Sequence, residues 1–412
     1  MEDERRPSKK ARRTASSALT PFALRLAKKL SEGDGGSGDN LVFSPLSIYA
    51  ALALVAAGAE GETLDEFLAL LGAGSRDELA EFVRGMAESA LADRSGSGGP
   101  VIAFACGLWH QETEVLKPAY RATAVESYKA ETRAANFRGK SEDVREEINN
   151  WVSAATKNLI PSILPKDSVQ SSTVLVLANA IYFKGTWSTP FAENKTKDKK
   201  FYCLDGSRVR TPFMHSKEDQ FIKEHDGFKV LKLPYRNTAS DVDECNSDER
   251  PRFSMCIFLP DARDGLPGLI DKMASSSSNF MRDHKDHMPK RRVKVGEFRL
   301  PKFKLSFSSQ MNETLMSMGL NAVFFEPKAN LSNMFEDDDG LFMEDVFHKA
   351  VIEVNEEGTE AAASTACTFL KKGKRLDLTE FVADHPFVFF LVEEVSGAVV
   401  FMGHVLDPTS SE

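Results

Sequence analysis

The chain has 412 residues, 42% apolar and 27% charged, with a net charge of −9. The length allows two or three ordinary domains, the apolar share supplies a large core, and the acidic balance excludes a general affinity for nucleic acid. Five widely spaced cysteines, Cys106, Cys203, Cys245, Cys256 and Cys367, include no Cys-x-x-Cys pair. That spacing argues against a disulfide framework or a zinc site and for free thiols in a reducing compartment.

Met1 to Ser17 is charged and polar and lacks the apolar stretch of a secretory signal. No apolar run approaches the roughly 20 residues that span a bilayer. A cytoplasmic or nuclear location with no membrane partner is therefore expected. Arg5 to Arg13 holds six basic residues without apolar periodicity, so residues 1–17 are expected to be a disordered tail. Within it, Lys9-Lys10-Ala11-Arg12-Arg13 is a candidate nuclear import patch, although such charge runs are commonly just solvated.

The first helix is expected to start at Thr20, with Pro21 in the first turn where a missing N–H costs nothing. The glycines between Gly33 and Gly38 end it. Leu64, Phe67, Leu68 and Leu71 predict a helix stopped by Gly72. Ser75 with Glu78 predicts a capping box ahead of the stripe Leu79, Phe82, Val83 and Met86. Val144, Ile148, Trp151, Val152 and Ala155 predict another helix, ended by Pro161. Thr173 to Phe183 then reads as a strand buried on both faces. Asp205-Gly206 and Ser396-Gly397 read as hairpin turns, and Arg236 to Pro251 as an exposed polar loop. Helices early and strands late predict an α+β fold.

Val354 to Thr365 is the most informative run. It is strand-like at first, then acid and glycine (Glu356, Glu357, Gly358), then small residues: Thr359, Glu360, Ala361, Ala362, Ala363, Ser364 and Thr365. Small side chains can be taken into an existing sheet at little steric cost. In a strand, alternate residues face opposite sides. If Thr359 faces a core, so do Ala361, Ala363, Thr365, Cys367 and Phe369, none of them charged. Glu360, the sole charge of the inserting stretch, then faces solvent. The basic run Lys371-Lys372-Gly373-Lys374-Arg375 follows, a bait for trypsin-like proteases. The alternative reading is an Ala-rich linker or short helix. No Gly-x-Ser-x-Gly, His-Glu-x-x-His or Walker motif occurs, so no catalytic residue, metal or cofactor is expected.

The hinge run resembles that of the serpins, the serine protease inhibitor family. So do Asn40 to Ile48, Leu177 to Trp187, Phe347 to Ala350 and the C-terminal run Phe381 to Leu391. The likeness covers roughly residues 18–408, and the wording of Glu356 to Ala363 and of Phe381 to Phe387 is closest to plant members. It implies helices packed on a large main sheet, two smaller sheets, and an exposed reactive loop over about 356–380, all in one domain. The activity it implies is suicide trapping. A protease attacks the loop, forms an acyl-enzyme, and is carried away covalently as the cut loop inserts into the main sheet. Counted as in the family, the reactive bond is Lys372–Gly373. The segment after it is shorter than in plant members, so Lys371, Lys374 and Arg375 stay rival cleavage points. The implied partners are Lys/Arg-specific proteases, serine or cysteine enzymes. Ser44, Ser47, Asn179 and His348 match a hydrogen-bonded switch cluster beneath the main sheet, and Trp187 matches the tryptophan where the loop enters it. The rival functions are a non-inhibitory scaffold and a nuclear-associated binding protein.

Overall fold

The computed structural model describes residues 9–32, 38–237, 251–275, 287–337, 341–358 and 378–410. In chain order the elements are α1 (Lys9–Glu32), β1 (Leu41–Phe43), α2 (Pro45–Ala56), α3 (Gly61–Leu71), α4 (Arg76–Glu88), β2 (Val101–Gln111), α5 (Pro118–Glu126), β3 (Glu131–Ala135), α6 (Phe137–Ala155) and β4 (Leu175–Lys184). They continue as β5 (Lys197–Tyr202), β6 (Arg208–Met214), β7 (Phe221–His225), β8 (Phe228–Pro234), β9 (Phe253–Pro260), α7 (Leu266–Ala274), β10 (Val295–Pro301), β11 (Phe303–Gln310), α8 (Asn312–Ser317), β12 (Asp345–Val354), β13 (Thr379–Val382), β14 (Phe387–Glu393) and β15 (Val399–Val405). The fold is α+β, as expected.

Local chemistry explains most element ends. Gly72, in the left-handed conformation at φ 67°, closes α3. Ser75 Oγ accepts from the Glu78 N–H at 3.2 Å and caps α4. The Glu78 carboxylate reaches back to the N–H of Gly74 rather than Ser75, so the box is displaced by one residue. Leu79, Phe82, Val83 and Met86 are buried as the spacing requires. Helix α6 stops at Ala155, well before Pro161.

One expectation is corrected. Helix α1 begins at Lys9 and carries Pro21 inside it, rather than starting at Thr20 after a structureless tail. The stretch from Lys9 to Leu19 is rich in Ala, Lys and Arg, all strong helix formers. Backbone propensity extends the helix where apolar periodicity is absent. Residues 1–8 and most of the loop expected from Arg236 to Pro251 lie outside the described residues.

Three sheets are present among the described residues. A six-stranded one runs β1-β15-β14-β9-β8-β7, and a four-stranded one β13-β10-β6-β5. The five-stranded main sheet runs β11-β12-β4-β2-β3. At its centre β4 and β12 run parallel, in unbroken register from Val176↔Asp345 to Phe183↔Ile352. Their outer neighbours, β2 and β11, are antiparallel to them. Every residue of α2 is buried; this helix lies against one face of the main sheet. Trp109, Val144, Ile148 and Val152 form part of a second apolar cluster on the other face. Strand β4 is buried through nine of its ten positions, as expected for a strand covered on both sides.

Candidate functional site

Two groups of residues meet along the β4–β12 seam. The first lies at its middle. Across the parallel pair, Asn179 stands opposite His348, and across the antiparallel pair it stands opposite Cys106. Beneath them Ser44 caps the N-terminus of α2. Asn179 Oδ1 accepts from the Ser47 hydroxyl and from His348 Nδ1 at 3.0 Å. Asn179 Nδ2 donates to the Ser47 carbonyl at 3.2 Å. His348 Nε2 accepts from the Ser44 N–H at 3.2 Å, and Ser44 Oγ donates to the Val400 carbonyl at 2.6 Å.

This pattern fixes the imidazole. An N–H donor must aim Nε2's lone pair at itself, so the proton sits on Nδ1 and the ring is neutral. Burial agrees, pushing the His348 pKa down from 6.5 to about 3. The Cys106 thiol, bonded to the Asn179 side chain, is pushed up by burial to about 12 and stays protonated. Each buried polar group here has a partner, as burial demands. The bond from His348 to Asn179 also crosses the seam, so parting β4 from β12 must break it.

The second group lies at the end of the seam. The chain leaves β12 and turns within Asn355–Gly358, the two end residues exchanging backbone hydrogen bonds at 3.2 and 3.3 Å. Gly358 then bridges Thr186, just past β4. The turn therefore folds over the seam. Gly358 has φ 107°, and a Cβ there would fall 2.3 Å from the Gly185 carbonyl oxygen. Only glycine fits. Trp187 is buried against Tyr235, ring centroids 4.4 Å apart. Its indole N–H donates to the Asn355 carbonyl at 2.9 Å, and its backbone N–H to the Glu357 carbonyl at 2.8 Å.

Glu356 anchors the turn from the other side. Its carbonyl accepts from the Phe191 N–H at 2.7 Å. Its carboxylate takes the Thr196 hydroxyl at 2.7 Å and Lys302 Nζ at 2.8 Å. Burial alone would raise its pKa, but Lys302 and Thr196 outweigh burial and hold it below the usual carboxylate value.

The structure thus brings Ser44, Ser47, Asn179 and His348 into one network, and Glu356, Glu357 and Gly358 against Trp187. Thr359 to Thr365 and the Lys372–Gly373 bond lie outside the described residues. Sequence reasoning missed Cys106, Thr196, Phe191, Lys302 and the Val400 carbonyl. Nothing local marks them, because each depends on a strand register or a contact between distant segments. Among the described residues no group of three or more His, Cys, Asp or Glu side chains is placed to hold a metal ion, and no helix is long and apolar enough to cross a membrane. The cysteines described, Cys106, Cys203 and Cys256, are free.

The sequence model of a family described as Serpin (serine protease inhibitor) matches residues 17–408. The chain belongs to the serpin family. Curated relatives are plant serpins. Serpin-Z2A of Oryza sativa subsp. japonica is 57% identical over 419 residues, covering 95% of this chain and 97% of the relative. Serpin-Z2B of the same plant is 54% identical over 411 residues, covering 96% and 98%. Among solved structures, the Arabidopsis serpin AtSerpin1 in its native stressed conformation is 38% identical with a TM-score of 0.87, covering 97% of this chain and 99% of that one. Serpins in general bind and inhibit serine proteases, and membership supports protease inhibition, not catalysis, as the general activity of this chain.

Proposed function

We propose that this serpin traps Lys/Arg-specific proteases by the suicide route, with Lys372–Gly373 as the bond attacked. The protease nucleophile adds to the Lys372 carbonyl, the peptide bond breaks, and Gly373 leaves as an amine. Deacylation by water would complete ordinary proteolysis. Insertion of Gly358 to Lys372 into the main sheet forestalls it.

The observation that carries this reading is the turn at Asn355–Gly358 folded over a parallel seam. A strand that continues from Gly358 back along β12 runs antiparallel to both β12 and β4. Insertion would replace one parallel seam with two antiparallel ones, and parallel pairing is slightly the weaker per residue. Fifteen extended residues from Gly358 would carry the acylated end about 50 Å along the sheet. The His348–Asn179 bond is the middle of the seam that must open, and the Trp187 and Glu356 contacts hold its upper end.

An intracellular location, with Lys9 to Arg13 as an import patch, belongs to the same reading. The free thiols support a reducing compartment. Incubation with trypsin followed by a denaturing gel and mass spectrometry tests the mechanism. A covalent band and a released peptide beginning at Gly373 are expected. Clipped fragments without a covalent band would leave a scaffold that is merely a substrate; a peptide beginning at Leu376 would move the bait to Arg375.

A further inference from the structure

The corner between β13 and β14 holds a histidine that faces two acceptors. The chain leaves the four-stranded sheet at Val382, turns through Ala383, Asp384 and His385, and enters the six-stranded sheet at Phe387. His385 is 6% exposed, which leaves its ring to protein partners. Its Nε2 lies 2.7 Å from the carbonyl oxygen of Pro260, the last residue of β9. Its Nδ1 lies 2.9 Å from Asp384 Oδ1. A carbonyl has no proton to give, so Nε2 must donate. The Asp384 carboxyl has none to give either. Burial would raise its pKa, but His385 and Arg263 outweigh burial and hold it below the ordinary carboxylate value. Nδ1 must therefore donate as well. A neutral imidazole has one N–H and one lone pair, and here it would aim the lone pair at an oxygen. Two donors mean an imidazolium. The contrast is with His348, where the Ser44 N–H faces Nε2 and fixes a neutral ring.

The rest of the corner is built around that charge. Arg263, on the connection from β9 to α7, donates to Asp384 Oδ2 at 3.3 Å, and its guanidinium lies 3.5 Å from the centre of the Tyr202 ring. The Tyr202 N–H donates to the Asp384 carbonyl at 2.8 Å. The other charged side chains of the adjoining elements have partners of their own or face solvent. Arg208 packs on Tyr202, Arg299 pairs with Glu297 and Lys229 with Glu224. Asp261 and Glu380 are exposed.

What the corner holds is β13. That strand is an edge of its sheet, with β10 as its neighbour, and its register with β10 shifts between Val295 and Phe298. At its ends the Thr379 N–H donates to the Lys294 carbonyl at 3.0 Å and the Ala383 N–H to the Arg299 carbonyl at 2.9 Å.

We propose that His385 is a proton-dependent clamp on β13: its imidazolium ties the corner to Pro260 and Asp384, and loss of the second proton to solvent loosens the strand. A ring left with one N–H must turn its lone pair to the Pro260 carbonyl or to the Asp384 carboxylate, and one of the two bonds goes. The clamp is complete while Asp384 is ionised and His385 charged. It weakens on the acid side as pH falls through the lowered pKa of Asp384, and on the alkaline side as the ring gives up its proton. On the trapping reading β13 anchors the far end of the bait, so the clamp would set how firmly the bait is presented. The clamp itself stands without that reading.

Nitrogen NMR of histidine-labelled, full-length protein reads the ring, and the signal lost in His385→Gln assigns it. The ring should show two protonated nitrogens at low pH and one at high pH. At the pH of that change, exchange protection of the Thr379 and Ala383 amides should fall about tenfold or more, the effect of losing a hydrogen bond to a charged group. Amides of α4 should keep theirs. Asp384→Asn deprives the ring of its carboxylate partner and should move both changes to lower pH together. Should His385→Gln fail to fold, the displaced signal in Asp384→Asn makes the assignment. A ring with one protonated nitrogen at every pH above the carboxylate range would overturn the clamp. So would a ring that titrates with no change in protection, or a fall shared by α4, which would be general unfolding.

Discussion

Lys302 Nζ, one residue past β10, lies 2.8 Å from Glu356 Oε2, two residues past β12. That ion pair joins the start of β11 to the turn at Asn355–Gly358. The pair is one-sidedly buried: the Glu356 side chain is 8% exposed and that of Lys302 37%. Glu356→Ala removes the acceptor shared by Lys302 and Thr196 and should cost about 1.5–3 kcal/mol, the range for a hydrogen bond to a charged group. Chemical denaturation of the uncut protein measures it. The same loss loosens the turn before any protease arrives, so the fraction of variant that forms covalent complex with trypsin should fall. An unchanged midpoint together with an unchanged yield would mean that the pair holds nothing.

The neutral imidazole of His348 gives stability a pH dependence with a definite sign. Its folded pKa lies near 3 and its unfolded value at 6.5. Below 6.5 the unfolded chain takes up a proton that the folded cluster refuses. The contribution is therefore complete above 6.5 and is lost as pH falls toward 3. Other buried histidines act alike, including His404 at about 4, so the difference between proteins is the informative quantity. His348→Gln should show a shallower fall in melting temperature from pH 7 to pH 5 than the unmodified chain. Parallel curves would place the titration elsewhere.

Thr359→Arg should turn inhibitor into substrate. The residue follows Gly358 in the sequence, and on the trapping reading its side chain would be the first that the inserting strand places against the core. An unpaired buried charge costs several kcal/mol, which slows insertion while leaving the bait intact. On a gel, the covalent band should give way to cleaved serpin and free protease. A full covalent band at wild-type stoichiometry would refute the inward assignment of Thr359.

Cleavage confined to the loop should raise the melting temperature. The eight register pairs of the β4–β12 seam would be exchanged for two seams of similar length. The net gain is about eight hydrogen bonds at roughly 1 kcal/mol each, before ordering entropy is subtracted. At about 2 °C per kcal/mol for a large domain, the shift is on the order of 10 °C. Calorimetry before and after limited proteolysis reads it, and equal midpoints would mean that the cut loop stays outside the sheet.

Much of this architecture was legible in residue spacing, because the relevant physics is local. Gly72 ends α3 since its conformation is cheap only for glycine, and Ser75 caps α4 because its hydroxyl reaches an N–H three residues on. The likeness to serpins named four members of the hydrogen-bonded cluster, Ser44, Ser47, Asn179 and His348. What stayed hidden were partners fixed by register. Cys106 faces Asn179 only once β2 and β4 are aligned, and the sequence carries no mark of that alignment. Thr196 and Lys302 reach Glu356 across 160 and 54 residues of chain. The start of α1 was misplaced for another reason: Pro21 suggested a first turn, whereas the Ala, Lys and Arg residues before it favour helix on their own.

The unbroken seam between β4 and β12 also works as a clock. Its amides are paired in the uncut chain, and on the trapping mechanism they would be paired again, with a new neighbour, afterwards. On that mechanism they would meet solvent only during the interval when the sheet gapes. Deuterium pulsed at successive delays after protease addition would therefore enter the amides within 176–183 and 345–352 that pair across this seam, and not their neighbours that pair with β2 or β11, in one narrow window. The width of that window would then measure the time a protease has to escape.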